Sequence, residues 1–172
     1  MRYFIKFSYD GSCFNGFQRQ PGMKTVQGVI EDALFQLSDC IVNLCASGRT
    51  DKGVHAIEQC AHFDLNLDIR EYNLKKYLNS FFDGEIYVSA LEKVSDSFHA
   101  RYDVKKKVYS YYINMGEFSP IFRNYVYQLC VNLDVDKIKE ASMYLLGVHD
   151  FRSFCTDEKN KDNCVRTIYS ID

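Results

Sequence analysis

Ile41-Val42-Asn43-Leu44-Cys45-Ala46 and, after a glycine-bounded loop, Gln59-Cys60-Ala61-His62-Phe63-Asp64-Leu65 read as two strands in succession. Toward the N-terminus, Thr25 to Leu37 sets Val26, Val29, Ile30, Ala33, Leu34 and Leu37 on one helical face. Before it, Arg2 to Tyr9 alternates like a strand and stops at the turn signal Asp10-Gly11-Ser12. Toward the C-terminus, Ile69 to Phe82 reads as a second amphipathic helix, with Leu74, Tyr77, Leu78 and Phe81 inward and Gly84 closing it. Glu85 to Leu91 is the next strand. The order β-α-β-β-α-β predicts an α+β chain whose residues 1–97 form a ferredoxin-like domain, the arrangement that RNA-recognition domains also use.

Residues 98–172 are expected to form a second, incomplete α+β domain with mainly antiparallel sheet. Lys107 to Ile113 alternates and carries Tyr109, Tyr111 and Tyr112. A helix is expected near Val135 to Leu146, with Val135, Ile138, Ser142 and Leu145 on one face. Val165 to Ile171 reads as a strand with nothing after it. Its Val165, Ile168 and Ile171 are therefore expected on an exposed or partly covered edge.

Composition narrows the class. With 47% hydrophobic and 26% charged residues, the chain can bury a core, which argues against disorder. No run approaches 18 apolar residues, so a membrane-spanning helix is not expected. Met1-Arg2-Tyr3-Phe4-Ile5-Lys6-Phe7 reaches Asp10 too soon for an export signal. The expected location is therefore the cytoplasm, with the seven cysteines as reduced thiols. They contain no C-x-x-C pair, and Cys60 and His62 only alternate along a strand, so no metal is predicted. The net charge of −2 gives no whole-chain field for nucleic acid. Residues 1–97 carry 10 Lys/Arg against 13 Asp/Glu, and residues 98–172 carry 11 against 10. Any RNA surface must be a local patch, and Arg101, Lys105, Lys106 and Lys107 form the one dense basic run.

Gly48-Arg49-Thr50-Asp51-Lys52-Gly53-Val54-His55-Ala56 lies between the two middle strands. Glycines near both ends suit a tightly shaped loop. In extended backbone Arg49 and Asp51 face one side and Thr50 the other. An arginine beside an aspartate keeps the carboxylate ionised and aims it, which suits a nucleophile, but on these residues alone a loop salt bridge is the better reading. His55 reads as a core or loop-stabilising histidine rather than a base.

These nine residues resemble the signature block of the TruA family of tRNA pseudouridine synthases. Three further blocks are similar in order and spacing. They are Tyr9-Asp10-Gly11 with Phe14, Gly16-Phe17-Gln18 and Gln20; Phe98-His99-Ala100-Arg101; and Lys107-Val108-Tyr109-Ser110-Tyr111. Gly147 to Phe154 is similar to the family's segment after the helix of its second domain. The resemblance implies that Asp51 is the catalytic group, acting on a uridine flipped out of the RNA. The glycosidic bond breaks, the uracil turns, and carbon 5 is rejoined to ribose. Covalent addition and proton abstraction by the carboxylate both stay open. Arg49 matches the arginine that pairs with the aspartate and holds the nucleotide, and Tyr109 matches the tyrosine that packs on the target base. Arg101, Lys105, Lys106 and Lys107 suit the tRNA phosphates. The family implies no cofactor or metal, a homodimer, and uridines 38–40 of the tRNA anticodon arm as targets.

Two departures accompany the resemblance. Phe17 stands where many members carry tryptophan, and nothing matches the family's later Met-Val-Arg block. The expectation is a chain lacking the family's C-terminal part. Its alternatives to an enzyme are a catalytically incompetent tRNA-binding fragment and a ferredoxin-like interaction domain with no RNA role.

Overall fold

The computed structural model describes residues 1–155 and 164–172. β1 (Arg2–Tyr9) alternates strictly, burying Tyr3, Ile5, Phe7 and Tyr9 and turning Phe4, Lys6 and Ser8 the other way. It lies between β3 (Ala56–Asp64) and β4 (Ile86–Val94), antiparallel to both, and β2 (Cys45–Ala46) completes the order β2-β3-β1-β4. Tyr3 opposes Phe63 and Ile5 opposes Ala61, so apolar side chains of neighbouring strands share a face. A register shift between Lys6 and Phe7 against β4 sets Val88 opposite Phe7 and Leu91 opposite Ile5. Two β4 residues three positions apart thereby reach the same core, which simple alternation forbids.

Two helices cover that face. α1 (Val26–Ser38) starts at Thr25, whose Oγ1 accepts the Gly28 N–H, and ends at Asp39 in the left-handed region. It buries Val26, Ile30, Ala33 and Leu34, as expected from their spacing. α2 (Glu71–Phe81) buries Leu74 and Leu78, and the Tyr77 hydroxyl donates to the Ala33 carbonyl at 3.0 Å. All six residues belong to one cluster with the sheet, each worth about 1.5–3 kcal/mol for the larger aliphatics. On the opposite face, Arg2 Nη1 donates to the carbonyls of Asp96 and Phe98. Phe98 meets Phe4 edge to face at 5.5 Å, and the Ala100 N–H donates to His62 Nδ1.

Three expected strands are shortened, Val165–Ile171 to Val165–Ile168 among them. Of Ile41–Ala46 only Cys45–Ala46 joins the sheet. The Leu44 N–H donates to Glu31 Oε1 and its carbonyl accepts from Gln27 Nε2, so side chains of α1 take the groups a ladder would use. Of Lys107–Ile113 only Ile113 is in a strand, the two-residue β5 (Ile113–Asn114). Tyr109 and Tyr111 are 75% and 88% exposed, and alternation makes a strand only where a neighbour pairs with it.

The chain divides into two compact units, Met1–Tyr112 with Ile121–Tyr127, and Ile113–Pro120 with Gln128–Asp172. In the second, the side chain of Gln128, from the two-residue β6 (Tyr127–Gln128), accepts from Asn114 Nδ2 and the Ser119 N–H. α3 (Val135–Ser142) is capped by Asp134 and continues as a 3-10 turn over Met143–Leu145. Its Val135 and Ile138 stay exposed. β7 (Gly147–Asp150) pairs antiparallel with β8 (Val165–Ile168), so the last strand does have a partner, formed by an earlier segment. Val165 and Ile171 are exposed. Among the described residues no helix is long and apolar enough to cross a membrane.

Candidate active site

The loop between β2 and β3 is held from several directions within the first unit. At its start, Ser47 Oγ donates to Gln59 Oε1, and Gln59 Nε2 donates to the Gly48 carbonyl at 3.1 Å. In its middle, the Thr50 carbonyl accepts the Phe17 N–H at 3.0 Å, and Thr50 Oγ1 lies 2.8 Å from the Tyr9 hydroxyl. Burial raises the Tyr9 pKa against the hydrogen bonds of Thr50 and Gln59, so its phenol stays protonated. Beyond Asp51, whose carbonyl accepts the Val54 N–H, Gly53 turns the chain at φ 82°. Finally the Gly11 N–H donates to His55 Nδ1.

Gly11 approaches the loop so closely that a Cβ there would lie 2.1 Å from the Val54 carbonyl oxygen. Gly16, at φ 91°, packs its α-carbon beside Thr50 and Lys52. The opening block and the signature block are thus two halves of one structure. The sequence showed them only as separate blocks, although the glycines at 11 and 16 were a usable signal.

Asp51 and Arg49 both present exposed side chains, whereas Thr50 turns inward to Tyr9. No ion pair or hydrogen bond joins Arg49 to Asp51. In water-facing positions such a pair is worth only about 0–1 kcal/mol. The carboxylate is therefore carried on a fixed backbone with its oxygens open to a ligand. Lys107 reaches the same place, its Nζ 3.0 Å from where a Cβ on Gly48 would sit. Arg101, Lys105 and Lys106 are exposed. Tyr109 is exposed too, with no ring contact or hydrogen bond among the described residues.

Among the described residues, one group of side chains has the composition to hold a metal: ligand atoms of Cys45, His62 and His99 lie within 4.8 Å of one another. The donor set does not suit one. His62 Nδ1 accepts the Ala100 N–H and His99 Nδ1 accepts the Arg101 N–H, so in each neutral ring the proton sits on Nε2. Neither Nε2 then has a lone pair to give, and that of His99 points at Cys45 Sγ, 3.7 Å away. Burial, aided by Arg2 and His99, lowers the His62 pKa and keeps that ring neutral. The group fastens the Phe98–Arg101 turn to the sheet.

Comparison with known proteins agrees with this geometry. The family model described as tRNA pseudouridine synthase matches residues 6–103 and 141–172. The tRNA pseudouridine synthase A of Oceanobacillus iheyensis is 45% identical over 167 residues, covering 95% of this chain and 66% of that protein. That of Bacillus licheniformis is 42% identical over all of this chain and 71% of its own length. That of Listeria monocytogenes serotype 4b is 44% identical over 99% of this chain and 70% of its own. The chain thus spans about two thirds of the length of these relatives. With both matched segments in place and its loop clamped by the opening block, the chain belongs to the tRNA pseudouridine synthase family, isomerases that act on tRNA uridine.

Proposed function

We propose that this chain converts uridine to pseudouridine at positions 38–40 of the tRNA anticodon stem-loop, with Asp51 as the catalytic carboxylate. The observation that carries the reading is the clamped loop, which holds the Asp51 backbone from the Tyr9–Phe17 side and leaves its side chain open. Catalysis by a single carboxylate on a flipped base depends on such fixed placement. Arg49 would hold the flipped nucleotide, Tyr109 would stack on its base, and Arg101, Lys105, Lys106 and Lys107 would meet phosphates. Lys107 at Gly48 supports that role, because it sets an ammonium beside the loop. The reading includes a ferredoxin-like domain over residues 1–97 and a second domain from residue 98. The sheet order β2-β3-β1-β4 supports the first of these. It also includes a homodimer, no cofactor or metal, and a cytoplasmic location. Incubation with a tRNA transcript tritiated at uridine carbon 5 is expected to release tritium and leave pseudouridine at 38–40. Tight binding without release would instead identify a binding fragment.

Two further outcomes test the binding roles. Replacing Lys105, Lys106 and Lys107 with glutamine is expected to weaken tRNA binding. It should also flatten the log–log salt dependence by about one unit per lost phosphate contact. An unchanged slope would return these lysines to ordinary solvated surface. Tyr109→Leu is expected to lower turnover about tenfold with the melting temperature unchanged, since one stacked base is worth roughly 1–3 kcal/mol and the exposed ring supports no core. Full turnover in that variant would remove Tyr109 from the site.

A further inference from the structure

We infer that His55 is a positioning residue for the Asp51 loop, and that protonation of its ring unfastens the loop from the Gly11 turn. The proposal deepens the reading above and rests on it only for its catalytic consequence. His55 lies four positions after Asp51, its side chain partly covered. Both ring nitrogens are committed. Nδ1 accepts the Gly11 N–H at 3.1 Å, and Nε2 lies 2.8 Å from the Asn124 carbonyl. A carbonyl can only accept, so Nε2 carries the proton and Nδ1 keeps its lone pair. The neutral ring therefore ties together three segments distant in sequence: the Asp10–Gly11 turn, the end of the signature loop, and Asn124–Tyr125.

The same ring rests against Tyr125, with centroids 5.0 Å apart and planes tilted by 31°. The Tyr125 hydroxyl donates to Asp10 Oδ2 at 2.8 Å. Asp10 Oδ1 lies 3.2 Å from His55 Nδ1, and it also accepts from the Ser12 N–H and hydroxyl. Partial burial opposes ionisation of Asp10, but Ser12, Tyr125 and His55 together hold its carboxyl below the usual range. Among the described residues, the other titratable groups facing this region are Tyr9, Tyr87 and Glu85, which line the same cavity of about 390 Å³, Lys24, which holds Glu85, and Cys13, whose thiol is pushed up by burial and by Asp10 and Glu85.

This arrangement has two alternative partners for one nitrogen. With Nδ1 unprotonated, Gly11 N–H has an acceptor and Asp10 is merely adjacent. When Nδ1 takes a proton, it can no longer accept, and its new N–H faces both the Gly11 N–H and the Asp10 carboxylate. The imidazolium turns to Asp10, and the Gly11 amide is left without a partner. Because Gly11 is interlocked with the Val54 backbone, a displaced Gly11 turn displaces the loop that bears Asp51. Falling pH thus loosens the placement of the carboxylate through His55.

Amide hydrogen exchange of the intact chain across the titration of His55, followed by ring nitrogen NMR, tests this directly. The neutral ring is expected to carry its proton on Nε2, and Gly11 protection should fall about tenfold as the ring is protonated, the measure of one lost hydrogen bond. In His55→Asn, whose amide oxygen can accept from Gly11 but does not titrate, protection should persist at all pH. In His55→Gln, which can reach Asn124 but not Gly11, it should be lost at all pH. Turnover on a tRNA transcript should fall on the acid side in the native chain, and that limb should flatten in His55→Asn. A proton on Nδ1 of the neutral ring, or Gly11 protection indifferent to ring protonation, would overturn the inference. The exchange and NMR results stand even if the chain shows no isomerase activity, so failure of the functional reading stays distinguishable.

Discussion

Asp51→Asn is expected to lower pseudouridine formation by at least about 10³-fold while tRNA affinity changes less than about threefold. The substitution keeps the shape of the side chain and removes its charge and its basicity. The folded state has little reason to notice, because Asp51 is exposed and, among the described residues, holds its neighbours only through its carbonyl, which accepts from Val54. Surface changes of that kind usually stay within about 0.5 kcal/mol of stability. The informative measurements are therefore paired: tritium release from the transcript, and binding of the same transcript at fixed salt. Retained turnover would mean that another group does the chemistry. Loss of both turnover and affinity would make Asp51 a binding residue instead.

Gly11→Ala should be the most damaging change outside the reacting group. A methyl there would lie 2.1 Å from the Val54 carbonyl oxygen, 2.4 Å from its carbon and 2.9 Å from the Gly53 carbonyl carbon. These are backbone atoms, so nothing can rotate aside and the turn and the loop must part. Overpacking of this sort costs about 1–3 kcal/mol. A displacement of the carboxylate by about 1 Å can lower turnover about 10²-fold. Gly53→Ala is the matched control: its φ of 82° imposes backbone strain, but a Cβ there meets nothing within 4 Å. Thermal melts and turnover of the two variants are expected to separate, with Gly11→Ala losing far more of both. Equal losses would mean that backbone conformation, not the close approach, governs the loop.

The core faces were legible because they follow from local periodicity. Alternation in Arg2–Tyr9 marked Tyr3, Ile5, Phe7 and Tyr9, and helical spacing marked Ile30, Ala33 and Leu34. The same logic overreached at Ile41–Leu44, whose residues have strand-like character but whose backbone is engaged by Gln27 and Glu31 of α1. It overreached again at the tyrosines of 107–113, because alternation says which side chains share a face and not whether a neighbouring strand pairs with them.

For the site, the residue order by itself determined that Asp51 stands in a tight, glycine-bounded loop between two strands, since loop propensity and strand alternation are short-range properties. Only the tertiary structure decided what holds that loop. Tyr9, Gly11 and Phe17 reach Thr50, Val54 and His55 across some forty residues of chain, and Asn124 reaches His55 across a longer gap still. Which nitrogen of His55 carries its proton, and how close Gly11 comes to Val54, depend on distances that folding sets once the helices and sheet have packed.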